Sequence, residues 1–156
     1  MAAGDQKALD DIAEYGCHVI YVLPEGEFPP FAYSVGIQKS CGAAELIVIG
    51  LKQPISHFVV NEYNSRVRAG NRFSAGQRVD GFLEGFECEF RGVDPSHYRD
   101  YFGWNLWLYG GTGFEIVQLV FPDTSGYWPW NSEASEYFQK RQPLLEIPKT
   151  VGVGPN

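Results

Sequence analysis

Residues 45–51 read Glu-Leu-Ile-Val-Ile-Gly-Leu, and this apolar run predicts a strand that is buried on both faces. Pro54 opens a predicted helix that ends near Arg68, and Gly70 follows just past its end. The apolar side chains of this helix recur with the helical period and form a stripe of Ile55, Phe58, Val59, Tyr63 and Val67. A buried strand followed by an amphipathic helix indicates a sheet with helices packed against it.

Further strands are predicted on both sides of this stretch. Residues 17–23 are apolar on both alternating faces and predict a central strand, and residues 31–38 predict the next strand. Residues 77–93 alternate between apolar and polar side chains, which is typical of a half-exposed antiparallel strand. Residues 114–121 form another mainly apolar run and predict the last strand.

Helices are predicted over residues 5–15 and at the start of residues 95–109, in addition to the helix that Pro54 opens. The fold class that follows is α+β. We expect a single domain over residues 1–146, with a mostly antiparallel sheet, for which a barrel-like form is an option, and two to three helices packed on it. Residues 147–156 are expected to form a flexible C-terminal tail.

The composition is that of a globular protein. The 156 residues are 44% hydrophobic and 15% aromatic, which supplies an ample core, and the 20% of charged residues argues against disorder. The formal net charge is -7, and a surface of this sign disfavours nucleic acid as a partner. The same field would attract a basic protein partner, although solubility alone also explains it.

The cysteines and the N-terminal residues are typical of an intracellular protein. Cys17, Cys41 and Cys88 are odd in number and lack the paired spacing of a disulfide framework. Residues 1–16 are polar and amphipathic and do not resemble a signal peptide. No run approaches the roughly 18 apolar residues of a membrane span. We therefore expect a soluble, cytoplasmic protein without a membrane partner.

The sequence contains no complete catalytic or metal-binding pattern. The glycine loop Gly110–Gly113 precedes a strand, whereas a phosphate-binding loop follows one. The three histidines lack a metal-ligand spacing, and no serine lies in a GxSxG elbow. Glu87 and Glu89 share a strand face opposite the apolar residues, so we expect both to be solvated. The sequence favours a protein that is not an enzyme, with no catalytic residue and no metal, and leaves the question open.

Two features would suit a small ligand. One face of residues 31–38 carries only small side chains, and such a face lets a ligand or a helix approach closely. The chain also concentrates arginines that could hold a phosphate or carboxylate, although helix-end placement explains two of them. The residues of this alternative are Ala32, Ser34, Gly36, Arg66, Arg68, Arg72 and Arg78.

The aromatic residues between positions 104 and 130 are the main candidates for a binding surface. Tryptophan and tyrosine are enriched at interaction hot spots, but the same rings could cover the core under a long loop. Gln118 interrupts an apolar strand, so its amide must either hold the C-terminal residues in place or contact a ligand. The candidate binding residues are Trp104, Trp107, Tyr109, Tyr127, Trp128, Trp130 and Gln118.

Several sequence motifs in a fixed order resemble a bacterial family, domain of unknown function 4262. They are residues 31–37 (FAYSVGI), 45–51 (ELIVIGL), 117–123 (VQLVFPD), 126–130 (GYWPW) and 142–145 (QPLL), and the resemblance covers roughly residues 14–146. Family members usually carry histidine and proline where this chain has Ala43-Ala44, and the family name implies no activity. The opening strands and helix also resemble flavin-reductase-like split barrels, a resemblance that implies flavin as a cofactor.

Acidity, the tryptophan and tyrosine residues, and the lack of a catalytic pattern together favour a non-enzymatic module that binds another protein. We expect a toxin-neutralising, immunity-like or similar accessory role, with no cofactor. The alternative is a small-ligand or flavin-binding domain that uses the small-residue face and the arginines.

Overall fold

The structure, a computed structural model, describes residues 3–149 and shows the predicted single α+β domain. The elements in chain order are α1 (Ala3–Tyr15), β1 (His18–Val22), β2 (Phe31–Val35), α2 (Ile37–Cys41), β3 (Glu45–Ile49), α3 (Gln53–Arg68), β4 (Arg78–Leu83), β5 (Phe86–Gly92), a 3-10 turn (Pro95–His97), α4 (Tyr98–Tyr101), α5 (Gly103–Tyr109), β6 (Ile116–Val120) and α6 (Glu136–Arg141). The prediction of two to three helices is wrong, since the described residues contain six. Four of these six are seven residues or shorter, too short to leave a clear periodic pattern.

The six strands form one sheet in the order β1-β2-β3-β6-β5-β4. Neighbouring strands are antiparallel, except that β3 and β6 run parallel. Because β1 and β4 are edges, the sheet is open and has no barrel-like closure. The strand predicted as central from residues 17–23 is therefore an edge strand. Its side chains are nevertheless apolar because both faces are covered: Val19 and Tyr21 pack in one core and Ile20 in the other.

One face of the sheet packs against α3. Ala32, Leu46 and Leu119 are fully buried on this face together with Val59 and Val60 of the helix. Their burial supplies a continuous apolar core between helix and sheet, which is the main stabilising contribution in a domain of this kind.

The opposite face is covered by two different parts of the chain. The α4–α5 pair lies over the β2–β3 half, where Phe102 packs with Tyr33 and Ile47. The C-terminal segment, residues 122–149, covers the β6–β5 half with Leu145 buried in the same core, while its Phe138 packs against the core on the α3 side. The C-terminal segment has little regular structure, so its backbone groups need side-chain hydrogen-bond partners to hold it on the sheet.

The strand predicted over residues 31–38 ends at Val35, because a helix begins two residues later. Gly36 stands at the junction with φ 102°, a conformation that side chains with a Cβ rarely adopt. A Cβ at this position would also lie 2.6 Å from Cγ1 of Ile12. Two independent constraints therefore require glycine at this junction.

The predicted apolar stripe of α3 is only partly buried. Val59, Tyr63 and Val67 pack in the core, whereas Ile55 and Phe58 are 45% and 54% exposed. These two side chains face the gap between α3 and the β4–β5 hairpin instead of the sheet. The part of the stripe in the N-terminal half of the helix therefore lies outside the core.

Part of the predicted tail contacts the domain. His97 Nε2 lies 2.6 Å from the carbonyl oxygen of Ile147, and the ammonium group of Lys149 lies 2.8 Å from the Asp100 carboxylate. The remainder of that tail, residues 150–156, lies outside the described residues. Among residues 3–149, none of the helices combines the length and the apolar character that a bilayer crossing requires.

Candidate functional site

An apolar groove of about 1040 Å³ lies between α3 and the β4–β5 hairpin. The N-terminal part of α3 forms one wall and the hairpin the other, while the residues after β6 and one face of α6 form the floor. The groove is lined by Leu51, Pro54, Ile55, Phe58, Gly81, Phe82, Leu83, Glu84, Phe86, Phe121, Pro122, Asp123, Thr124, Ser135 and Phe138.

The walls of the groove carry large apolar side chains that face solvent. Ile55 and Phe58 are about half exposed, whereas Phe82 and Phe121 beneath them are 1% and 7% exposed. The rings of Phe121 and Phe138 pack edge to face with centroids 6.0 Å apart, which gives the floor a fixed shape. Contiguous apolar surface of this kind on a domain commonly marks an interaction site.

The charged residues that line the groove are acidic, and the guanidinium of Arg66, which contacts the lining residues Phe82 and Gly81, is paired with the Glu62 carboxylate. Glu84 and Asp123 line it, and none of the described lining residues is Lys, Arg or His. Oδ1 of Asp123 accepts hydrogen bonds of 2.9 Å from the backbone N–H groups of Ser125 and Tyr127, which fixes the carboxylate at the groove. This arrangement favours a ligand that is apolar at its centre and positively charged at its margin.

The hairpin wall is held in place by Arg66 of α3. Its guanidinium lies over the Phe82 ring at 4.2 Å and pairs with the Glu62 carboxylate at 2.7 Å. The guanidinium also contacts Gly81, where a Cβ would collide with it. Gly81 has φ 88° and lies within a shift of the β4–β5 register, so this edge strand is irregular.

The aromatic residues predicted as a binding surface lie in two groups. Trp104 and Trp107 of α5 contact each other with centroids 5.5 Å apart, and the Trp104 ring lies 5.9 Å from that of His18. Trp128 and Trp130 belong to the C-terminal segment on the other half of the sheet. Among residues 3–149, no ring contact joins the two groups. They do not form one cleft, although Trp107, Tyr127 and Trp130 are 36–42% exposed.

The second group forms a layered cluster with two arginines. The rings of Trp128 and Trp130 stack 5.2 Å apart, and the guanidinium groups of Arg78 and Arg91 lie over them at 4.5 and 4.4 Å. Glu89 is 6% exposed and pairs with both arginines at 2.9 and 2.7 Å. The prediction that this glutamate is solvated is therefore wrong, because the C-terminal segment covers its face of the sheet.

The small-residue face is buried, and the four predicted arginines bond to separate partners within the chain. Ala32, Ser34 and Gly36 are buried, with Ala32 in the core beneath α3. Each arginine instead contacts a different part of the chain. The partners of Arg66, Arg68, Arg72 and Arg78 are, in order, the Glu62 carboxylate, the Tyr15 carbonyl, the Val67 and Cys41 carbonyls, and the Glu89 carboxylate. Helices pack closely at two positions of the small-residue face, α3 over Ala32 and α1 against Gly36, whereas the Ser34 hydroxyl bonds to Glu45.

Glu45 is a fully buried carboxylate that sequence reasoning did not single out. Its Oε1 accepts from the Ser34 hydroxyl at 2.7 Å and the Ile37 N–H at 3.1 Å. Its Oε2 accepts from the N–H groups of Gly36 and Gln38 and from the Tyr109 hydroxyl. Burial raises the pKa of this carboxyl, whereas these hydrogen bonds act in the opposite direction.

The geometry gives Glu45 a structural role. Three of its donors are the backbone N–H groups at the start of α2, where Gly36 has no side chain that could cap the helix. All five of its hydrogen-bond donors belong to the protein itself, so the carboxylate is saturated in the folded state. Tyr109, predicted as a binding residue, is accordingly part of this buried network.

The amide of Gln118 bonds to the C-terminal segment. Its Nε2 donates to the carbonyl of Pro143 at 2.8 Å, and its Oε1 accepts from the Leu145 N–H at 2.9 Å. Gln142 repeats the arrangement, since its amide bonds to both backbone groups of Phe121. The side-chain amides of Gln118 and Gln142 thus supply the hydrogen bonds that hold this irregular segment on the sheet, in place of pairing between strands.

Two of the three cysteines are unsuited to act as nucleophiles, whereas Cys41 is partly exposed. Cys17 and Cys88 are buried, and burial raises the pKa of each thiol to about 12, which disfavours the reactive thiolate. The Nδ1 atom of His18 lies 2.7 Å from the Asp11 carboxylate. In the described part of the chain, no three His, Cys, Asp or Glu side chains are placed so as to share a metal ion.

The fold and the site define an α+β domain with an open mixed sheet and an acidic-rimmed apolar groove. The chain belongs to the DUF4262 family, a domain of unknown function, whose model matches residues 11–135. This confirms the resemblance drawn from the sequence motifs, and the match spans all the groove-lining residues except Phe138. Comparisons with curated proteins and with solved structures found no match.

Proposed function

We propose that this protein is a non-enzymatic module that binds another protein, in a toxin-neutralising or similar accessory role, and that the apolar groove is its docking site. The observation that carries the proposal is the half exposure of Ile55 and Phe58 above an aromatic floor. The groove replaces the aromatic surface expected from the sequence as the main site. The acidic residues at its margin support a partner that carries positive charge.

The energetics favour occupation of the groove. Full burial of an apolar side chain such as Ile or Phe contributes about 1.5–3 kcal/mol relative to exposure. A partner that covers Ile55 and Phe58 recovers part of this energy for each, and the preformed floor adds little ordering cost. These two side chains are therefore expected to be hot spots of the interface.

A small apolar ligand is the second candidate, and the volume of the groove supports it. Pockets for small ligands usually enclose about 300–1,000 Å³ and are lined mainly by hydrophobic and aromatic groups. Flavin binding was expected on the face formed by Ala32, Ser34 and Gly36, and these three residues are buried. A small ligand would occupy the groove instead.

A capture experiment tests the protein-binding proposal. The tagged wild type, Phe58→Asp and Leu23→Asp are expressed in the cells that naturally make the protein, and co-purifying proteins are quantified by mass spectrometry. Leu23 is 71% exposed and lies outside the groove, so it is the matched control. We expect one stoichiometric partner with the wild type and Leu23→Asp, and its loss with Phe58→Asp.

Equal recovery with all three proteins, or no partner with any of them, would contradict the proposal. Thermal unfolding of the variants verifies that each is folded at the temperature of the experiment. Native mass spectrometry of the purified wild type addresses the second candidate, since a retained small ligand appears as a defined increase in mass that Phe58→Asp abolishes.

A further inference from the structure

We propose that the occupant of the apolar groove is an amphipathic helix with Lys or Arg residues beside its apolar stripe. This inference rests on the proposed protein-binding function and specifies the shape and the charge of the partner. The alternatives are an added β-strand, which is the usual ligand of an exposed sheet edge, and an acidic or uncharged helix.

The edge of the sheet beside the groove is not suited to strand addition. β4 is an edge strand, but its register shifts between Val79 and Leu83, and Gly81 within the shift has φ 88°. The guanidinium of Arg66 covers Gly81, and the neighbouring Asp80 is exposed. An irregular edge with a charged side chain is how proteins prevent strands from pairing with them.

The walls of the groove suit a helix instead. On α3 the exposed Ile55 and Phe58 lie one turn apart, and on the hairpin Leu83 and Phe86 face them across the groove. The apolar stripe of an amphipathic helix places side chains at i, i+3, i+4 and i+7, a span of about 10 Å. A helix lying in the groove would present such a stripe to the apolar residues of both walls and to Phe138 of the floor.

The charge at the groove favours basic residues on either side of the apolar stripe of that helix. The Glu84 and Asp123 carboxylates line the groove, and no described lining residue carries positive charge. The guanidinium of Arg66, which contacts the hairpin wall, is paired with the Glu62 carboxylate. The whole chain has a formal net charge of -7, which adds a long-range attraction for a basic segment. Because the Glu84 side chain is exposed, its contribution is expected to weaken with added salt.

The inference is tested with four labelled synthetic peptides of equal length and fluorescence anisotropy. The first peptide is a Leu/Ala/Lys sequence with leucine at i, i+3, i+4 and i+7. The second has the same composition in scrambled order, the third has glutamate in place of lysine, and the fourth alternates leucine and lysine as a strand. Each is titrated with wild type, Phe58→Asp, Glu84→Gln and Leu23→Asp at low and high salt.

We expect the first peptide to bind about tenfold more tightly than each of the others, a difference of about 1.4 kcal/mol. Phe58→Asp should abolish this preference and Leu23→Asp should retain it. Glu84→Gln should weaken binding and reduce its salt dependence. Equal or tighter binding of the strand, scrambled or acidic peptide would overturn the inference, as would binding that neither salt nor Glu84→Gln changes.

The two proposals can fail separately. A partner captured by the wild type and lost with Phe58→Asp, combined with no preference for the first peptide, would retain the docking site and reject the basic helix. A clear peptide preference without any partner in the cells would leave the groove as a helix-binding surface and reject the proposed physiological role.

Discussion

The hydroxyl of Tyr109, at the end of α5, donates a hydrogen bond to the carboxylate of Glu45, at the start of β3. Glu45 also accepts the N–H groups that begin α2, so one buried side chain joins three elements. Charge-assisted hydrogen bonds of this type are stronger than neutral ones. The junction of α2, β3 and α5 therefore depends on an acceptor with two oxygens.

Replacement of Glu45 by glutamine should destabilise the protein. One oxygen becomes an NH₂ group that cannot accept, so at least one backbone N–H among those of Gly36, Ile37 and Gln38 loses its acceptor. The expected cost is about 1–3 kcal/mol for each donor left unsatisfied, measured by urea unfolding. Glu115→Gln is the control, because this exposed carboxylate should tolerate the change within about 0.5 kcal/mol. Equal stability of the two variants would show that Glu45 does not cap α2.

Replacement of Glu89 by glutamine should also destabilise the protein. The change removes the negative charge between Arg78 and Arg91 while its neighbours remain in place. Hydrogen bonds to charged groups contribute about 1.5–3 kcal/mol, and the partial exposure of both arginines places the expected loss at the lower end. Tryptophan fluorescence follows the loss directly, since Trp128 and Trp130 cover the arginines. The matched control is Glu87→Gln, an exposed site on the same strand; an identical response would contradict the prediction.

The bonds from Gln118 should hold the C-terminal segment on the sheet. Gln118→Leu introduces an apolar side chain of similar size. It removes the amide that bonds to the Pro143 carbonyl and to the Leu145 N–H. We expect a loss of about 1–3 kcal/mol and faster limited proteolysis within residues 122–149. Gln6→Leu, on the exposed surface of α1, should change neither quantity. Unchanged cleavage of the C-terminal segment in Gln118→Leu would count against this role.

The three thiols should differ in reactivity. Cys17 and Cys88 are buried and their pKa values are raised to about 12, whereas Cys41 is partly exposed. In native protein at neutral pH we expect one thiol to react rapidly with a disulfide reagent and two to react only as the protein unfolds. Cys41→Ser should abolish the rapid phase and leave the slow one. Rapid reaction of two thiols in the wild type would be inconsistent with the described packing.

The local elements of the fold could be predicted because their patterns are strong. The apolar run of residues 45–51 corresponds to β3. Residues 77–93, predicted as one alternating strand, instead form the two strands of the β4–β5 hairpin, because the chain turns at Glu84-Gly85. The short helix α2 could not be predicted in this way. Its five residues carry no periodic signal, and its first turn is capped by Glu45, which comes after the helix in the chain.

The candidate site was less accessible to sequence reasoning. The period of α3 identifies which residues share a face, but Ile55 and Phe58 continue the same stripe as the buried Val59 and Tyr63. Whether each of these side chains is buried depends on where the sheet ends relative to the helix. In the same way, the alternating pattern places Glu87 and Glu89 on one face of the strand. It cannot show that the C-terminal segment covers Glu89 and leaves Glu87 exposed.

The sequence by itself determined the α+β class, the family and the main elements, because these depend on short-range periodicity and on a fixed order of motifs. Tertiary structure alone decided that the sheet stays open, that Glu45 and Glu89 are buried, and that a groove forms beside α3. The physical reason is that exposure depends on contacts between residues far apart in the chain. An apolar or charged side chain has the same sequence signature whether a distant segment covers it or solvent does.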